Sequence, residues 1–390
     1  MKFHKSLILG FVILFMFLKV TPLYGKEPIV LHSETAVLMD AQTGQVLFDQ
    51  ESKRTMYPAS ITKIVTAIIA IETGVLDDIV VVPKEATDVI GTKVYLLEEE
   101  EVPLLTLVQG LLINSGNDAA TAIAYHLSGG EEAFAQEMNR FIYEQIGVSN
   151  THFTNPHGLY DDNHVTTAYD MAKITQYAMQ NELFREIVAT KELDWHGEGW
   201  ETTIYNHHRM LWDYEGVTGV KNGYVSQSGY TLVTTAMHNG MELIAVTLNS
   251  PSASLAYADT AALLDYGFDT FELNTIKAGE IFKTDTKKQF YVEEDIQYVQ
   301  NKGEKTNVYV NDSGLLRIID QHNNRLTSAI LQSLEMDPEK KEVTTNGNEQ
   351  VENRTHSISQ ASKRAPVVRL HKSYKIVRGF TKYSTSRFTE

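Results

Sequence analysis

The 390-residue chain has no cysteine. Disulfides, thiolate nucleophiles and thiolate metal ligands are therefore excluded, and the absence is compatible with export without requiring it. Positive charge is also short. Against 50 acidic residues stand 34 Lys and Arg, and the net charge of −16 argues against a general nucleic-acid binder. There is no internal repeat, no glycine loop shaped to cradle a phosphate, and no H-E-x-x-H pattern. Long apolar runs are missing too, with one exception. Residues 8–20 are apolar apart from Gly10 and Lys19, a stretch shorter than the roughly 20 residues that cross a bilayer. Lys2, His4 and Lys5 precede it, and Leu23-Tyr24-Gly25 follow. This is the layout of a secretory signal over residues 1–25, which places the remainder outside the cytoplasm in the cell envelope. An uncleaved anchor helix is the alternative.

What is present is an ordinary globular composition, 43% hydrophobic, in a chain long enough for one large domain and an appendage. Residues 35–50 read as a β-hairpin turning at Ala41-Gln42-Thr43-Gly44. Ile61, Ile64, Val65, Ile68 and Ile69 recur at the spacing of one helix face, and Thr73-Gly74 supplies a stop. The charge run 98–101 reads as a solvated turn, and His207 and His208 as surface residues. Further helices are expected over 104–113, 119–127, 131–147, 167–179 and 253–268, with a hairpin at His238-Asn239-Gly240. From 274 to 330 the pattern changes to short strand-like runs. Beyond Met336 hydrophobicity drops, and residues 354–387 hold nine Lys or Arg and no acidic residue. That basic tail is expected to be disordered.

Three short stretches carry chemistry. Ser60 and Lys63 are three residues apart at a helix start, a spacing that lays an amine against a hydroxyl over one helix edge. A capping serine followed by a surface lysine has the same spelling. Asn114-Ser115-Gly116-Asn117-Asp118 breaks an apolar helix with polar residues, a loop able to point Ser115 and Asn117 into a cleft; a plain helix–helix turn uses the same residue types. Val217 to Tyr224 is strand-like, and Lys221-Asn222-Gly223 offers a cation beside a glycine that lets backbone approach a ligand.

Taken in order, Ser60-Ile61-Thr62-Lys63, Ser115-Gly116-Asn117 and Lys221-Asn222-Gly223 resemble the three motifs of penicillin-recognising serine enzymes. Pro58-Ala59, Asp118-Ala119-Ala120, Asn155-Pro156-His157-Gly158-Leu159 and Thr166-Thr167-Ala168-Tyr169-Asp170 narrow the resemblance to low-molecular-weight penicillin-binding proteins that are D-Ala-D-Ala carboxypeptidases, nearest to sporulation-type members. It covers residues 34–271, and more loosely extends to 316.

The resemblance implies an α+β fold of the penicillin-binding protein and serine β-lactamase type: an antiparallel sheet flanked by helices, with a small C-terminal β domain. Domains are expected at 26–272 (catalytic) and 273–335 (β-rich), followed by the tail. It also implies roles. Ser60 would be the nucleophile, Lys63 its base, and Ser115 a proton relay. Asn117 would orient the substrate amide, while Lys221, Asn222, Gly223 and Tyr224 would bind substrate. The N–H groups of Ser60 and Tyr224 would form an oxyanion hole. Peptidoglycan stem peptides are the implied partner and β-lactams covalent inhibitors, with no metal or other cofactor and no nucleic acid. Asn222 stands where the family usually has threonine. A β-lactamase would need a glutamate in the region 155–166, which offers only Asp161 and Asp162. His152, His157 and His164 have no zinc-ligand spacing. A binder that is acylated without turnover is the non-enzymatic alternative.

The tail is expected to make salt-sensitive contact with anionic envelope polymers or headgroups, each basic residue contributing about 1 kcal/mol near such a surface. Truncation after Glu335 should leave hydrolysis of a soluble peptide intact and release the protein from envelopes at low salt. Continued sedimentation of the truncated protein would remove the tail as tether.

Overall fold

The computed structural model describes residues 29–334; the signal reading at 1–25 and the basic tail lie outside them. A five-stranded antiparallel sheet forms the centre. Its strands are β1 (Thr35–Asp40), β2 (Val46–Gln50), β3 (Val217–Val225), β4 (Gly229–His238) and β5 (Met241–Ser250), in the order β2-β1-β5-β4-β3. Both expected hairpins are present. All six residues of β1 are buried because both sheet faces are covered. Val37, Met39, Val233, Ile244 and Val246 face one core; Ala36, Leu38, Leu232, Leu243 and Ala245 face another. This is the period-two alternation of a strand with apolar residues on both sides. Leu38 lies between Phe48 of β2 and Ala245 of β5.

The first core is shared with a helical lobe. At its heart is α1 (Lys63–Thr73), of which every residue from Lys63 to Ala70 is buried. The one-face spacing understated this helix: small Thr66, Ala67 and Ala70 fill the sides where a surface helix would be polar. Around it pack α2 (Leu104–Ile113), α3 (Asn117–Ser128), α4 (Glu131–Phe141), α5 (Ala168–Ala178) and α6 (Glu182–Ala189). Thr167 caps α5 by accepting from the Asp170 N–H. The second core is closed by α7 (Ala253–Thr270) through Ala256, Leu263 and Leu264.

Two surface readings need correction. Glu100, within the supposed solvated turn, is buried: its carboxylate accepts from the Leu97 and Glu198 N–H groups and so ties two loops together. His208 is buried as well, with Nε2 3.1 Å from the Val233 carbonyl and 2.9 Å from Thr234 Oγ1. Only His207 of that pair is exposed.

After α7, residues 271–276 pair with 296–301, and Asn307–Val310, Leu315–Ile319 and Arg325–Ile330 form a three-stranded sheet. Ile276, Phe290, Val292, Leu316, Ile318 and Leu331 make a small separate core there. Phe271, Leu273 and Val299 instead join the core beneath α7, so apolar packing is continuous across the junction.

Candidate active site

Ser60 lies in a 3-10 turn, Ala59–Thr62, that runs directly into α1. Side chains at i and i+3 eclipse in that geometry, which sets Lys63 over Ser60. Lys63 Nζ is 2.9 Å from Ser60 Oγ, 2.7 Å from Asn117 Oδ1 and 2.7 Å from the His157 carbonyl. All three partners are uncharged, and Lys63 is fully buried. Burial first, then repulsion from Lys221, holds its pKa well below the ordinary lysine value; the charge of Asp118 partly opposes this. Asp118 does not pair with the amine. Its carboxylate accepts from the N–H groups of Val94, Leu96 and Ala119.

The turn holding Ser60 and the first turns of α1 that continue it are pinned from three sides. Thr231 Oγ1 donates to the Pro58 carbonyl at 2.9 Å. Thr66 Oγ1 donates to the Pro156 carbonyl. His164, its Nδ1 accepting from the Thr154 N–H, donates from Nε2 to Thr62 Oγ1 at 2.8 Å. Burial lowers the His164 pKa to about 3, so this staple is a neutral ring. Ala59 has φ +51° and Ser115 φ +63°. Left-handed non-glycine residues cost of order 1–3 kcal/mol each and cluster at sites whose surroundings enforce them.

Asn117 begins α3 rather than lying in the loop before it. Its Oδ1 faces Lys63 and its Nδ2 donates to the Ile90 carbonyl at 2.6 Å, so its amide chiefly holds the amine and leaves one N–H for another acceptor. Lys221 is buried too, and burial lowers its pKa to about 7. Its Nζ is 3.1 Å from the Asn222 carbonyl and 3.4 Å from Asn222 Oδ1. Gly223 lies so near the Ser60 turn that a Cβ would fall 2.7 Å from both Ser60 N and Thr231 Oγ1. Tyr224 follows, half exposed, against Tyr230 with ring centroids 4.5 Å apart.

These pieces meet at a cavity of about 260 Å³. Ser60, Ser115, Asn222, Gly223 and Tyr224 line it, and Lys63, Asn117 and Lys221 are buried next to them in the chain or by contact. Sequence reasoning missed His207, Thr92 and Tyr257, which also line it; they come from segments with no motif-like spacing. A larger depression, about 750 Å³, lies on the helical lobe beside Glu85, Asp88, Glu131 and Glu132 and contains no nucleophile–base pair.

The histidines of the 152–164 loop are committed locally. His152 Nδ1 is 2.9 Å from the Asn163 carbonyl, and His157 lies between Glu131 and the Leu159 N–H. Asp161 accepts from the Asn163 N–H and Asp162 from the Tyr160 hydroxyl.

Residues 24–252 match a protein family described as D-alanyl-D-alanine carboxypeptidase. Among relatives, the D-alanyl-D-alanine carboxypeptidase DacF of Bacillus subtilis is 32% identical over 70% of this chain and 74% of its own length. DacA of Haemophilus influenzae is 33% identical over 66% of this chain and 67% of its own. Among solved structures, penicillin binding protein 5 from Haemophilus influenzae superimposes with TM-score 0.70 at 29% identity, covering 78% of this chain and 97% of that one. DacD from Francisella tularensis gives TM-score 0.69 at 23% identity, a likeness of fold.

Proposed function

The chain belongs to the D-alanyl-D-alanine carboxypeptidase family, and from that premise we propose that Ser60 removes the terminal D-alanine of peptidoglycan stem peptides through an acyl-enzyme. The observation that carries the assignment is the 2.9 Å approach of Lys63 Nζ to Ser60 Oγ with only neutral groups around the amine. A neutral lysine has two N–H hydrogens and one lone pair. Asn117 Oδ1 and the His157 carbonyl take the hydrogens, which leaves the lone pair facing the Ser60 O–H. Lys63 accepts that proton as Ser60 Oγ bonds to the carbonyl carbon between the two D-alanines. The Ser60 and Tyr224 N–H groups receive the developing oxyanion, an arrangement supported by the close approach at Gly223. Ser115 passes the proton to the leaving nitrogen, the C–N bond breaks and D-alanine departs; water then hydrolyses the ester. Lys221 and Asn222 hold the terminal carboxylate, with Asn117 offering its remaining N–H to the substrate amide. Penicillins would acylate Ser60 by the same attack. Intact-protein mass spectrometry during incubation with a D-Ala-D-Ala peptide tests the proposal: it should show product together with a transient Ser60 adduct, and product without any Ser60 adduct on rapid quenching would refute the acyl-enzyme.

Fast hydrolysis of acylated Ser60 would need a further base. Asp161 and Asp162 are turned onto their own loop and do not line the cavity, which supports a carboxypeptidase that stays acylated by penicillin over a β-lactamase. The basic start and apolar run at 2–20 support export, with the enzyme working on the envelope side of the membrane. Kinship with DacF is at 32% identity, and a sporulation role is our further proposal. Protein recovered only from the cytoplasm of vegetative cells would refute both.

Asn222 gives the first quantitative expectation. Its Oδ1 faces Lys221, so Nδ2 is left to donate into the cavity. A hydrogen bond to a charged group contributes about 1.5–3 kcal/mol, and Asn222→Ala should lower kcat/KM roughly 10- to 100-fold. Asn222→Thr should change it modestly. A threonine variant many-fold faster than wild type would instead favour a chain that binds stems with little turnover.

The two buried amines set the second. Activity needs Lys63 neutral and Lys221 charged, so kcat/KM should rise with pH as Lys63 loses its proton and fall as Lys221 does, near pH 7 in the free enzyme. A bound carboxylate stabilises the ammonium, so the alkaline limb of kcat should lie higher. Lys221→Arg keeps the charge and should move the alkaline limb of kcat/KM upward. An unmoved limb would show that Lys221 does not set it.

A further inference from the structure

The segment Asn206-His207-His208 crosses one end of the catalytic cavity between two fixed points. Asn206 is buried, with Nδ2 donating to the carbonyls of Val188 and Thr190 and Oδ1 accepting from the His208 N–H. His208 is anchored on β4 through Val233 and Thr234. Alternate residues of the segment are thus committed to the interior, and the residue between them turns the other way. His207 lines the cavity together with Ser60, Ser115 and Asn222, and its carbonyl accepts from the Tyr257 hydroxyl at 3.3 Å. Among the described residues, neither nitrogen of its ring has a hydrogen-bond partner. Among the described residues, no lysine or arginine side chain lines the cavity.

We propose that His207 binds substrate, its ring N–H donating to the terminal carboxylate beside Asn222. The inference rests on the carboxypeptidase reading above and names a residue that the three motifs leave out. A carboxylate has about four lone-pair directions to satisfy. Two of the three Lys221 N–H groups face the carbonyl and Oδ1 of Asn222, so the lysine offers the carboxylate its charge and a single remaining donor, not a two-pronged clamp. Asn222 fills one direction, and the ring of His207, carried on a backbone held at Asn206, His208 and its own carbonyl, supplies a second. His207 is exposed by surface area, yet it lines the cavity closely enough to be partly desolvated. That desolvation, with repulsion from Lys221 on β3 and Lys63 on α1, lowers its pKa to about 4. The free enzyme therefore presents a neutral ring, which retains one N–H to donate.

The test is the rate of D-Ala release from a D-Ala-D-Ala peptide by full-length wild type, His207→Ala, His207→Gln and His207→Arg. His207→Ala should raise KM roughly tenfold with kcat little changed, as for a lost hydrogen bond to a charged group. His207→Gln keeps an N–H and should restore most of the difference. His207→Arg, which adds a fixed charge, should bring KM to or below the wild-type value. A purely structural histidine would make all three variants equally poor, with kcat falling as well, and that pattern overturns the inference, as does an unchanged KM in His207→Ala. Failure of wild type itself to release D-Ala overturns the underlying carboxypeptidase reading, and is told apart by appearing before any substitution.

Discussion

Replacing Ser60 by alanine is expected to abolish both D-Ala release and covalent capture of benzylpenicillin while leaving the fold in place. The side chain removed is small, and its one hydrogen bond among the described residues is with Lys63, which keeps Asn117 and His157. The loss should therefore be chemical, and the melting temperature should stay near that of wild type. Lys63→Ala tests the other half of the pair. Positioned proton transfer contributes roughly 10²–10⁴-fold, so acylation should slow by that factor and not vanish. Lys63 is fully buried against its neighbours, so this variant leaves a void and the Asn117 and His157 acceptors unpaired. Its melting temperature is expected to fall, and rates should be compared below the transition. Intact-protein mass spectrometry after benzylpenicillin reads both variants. A label that persists in Ser60→Ala would place the nucleophile elsewhere, and an undiminished acylation rate in Lys63→Ala would remove Lys63 as base.

The parts of this protein that could be read from sequence are those whose cause is local. The hairpin at Asn239-Gly240, the helix opening at 167 and the strand-rich character of residues 274–330 depend on neighbours in the chain, and the structure has them. The order of the three motifs was equally legible, since a serine–lysine pair on a helix start needs only helix geometry. What could not be read depends on packing between distant segments. The apolar face of α1 was visible, but its burial all round follows from the sheet and five helices enclosing it. Glu100 lies in an acidic run and is buried because Leu97 and Glu198 present N–H groups to it. His207 and His208 have one spelling and opposite environments, decided by which of them meets β4. For Asn117 the chain position was informative, but its contact with Lys63 was not legible, because the two are 54 residues apart in sequence.

Lys63 and Lys221 show why such a site must be assembled from remote parts. Each amine is buried, and burial lowers the pKa of both. Among the described residues neither has a carboxylate partner, and pairing with one would keep Lys63 protonated, with no lone pair to accept the Ser60 proton. Asp118 sits near enough to act on Lys63 yet is occupied by three backbone N–H donors. Its charge moderates the shift without taking the proton.

The second large effect is expected at Gly223. A methyl group there would lie 2.7 Å from Ser60 N and 2.7 Å from Thr231 Oγ1, and 3.1 Å from Ala59 Cβ. Backbone atoms cannot yield as a flexible side-chain end can, and Thr231 is itself tied to the Pro58 carbonyl. Relief requires β3 to move away from the Ser60 turn. That movement separates the Ser60 N–H from the Tyr224 N–H, which are proposed to share one oxyanion. Losing a single such donor costs roughly 10²–10³-fold in kcat, so Gly223→Ala should slow both D-Ala release and penicillin acylation by about that much. Overpacking of this kind typically costs about 1–3 kcal/mol of stability, so the variant should remain folded with a lowered melting temperature. Acylation rates by benzylpenicillin, measured on folded protein, decide the matter. A Gly223→Ala enzyme that acylates at the wild-type rate would show that the nearness of β3 to Ser60 is a packing feature, and that the oxyanion is stabilised by other groups.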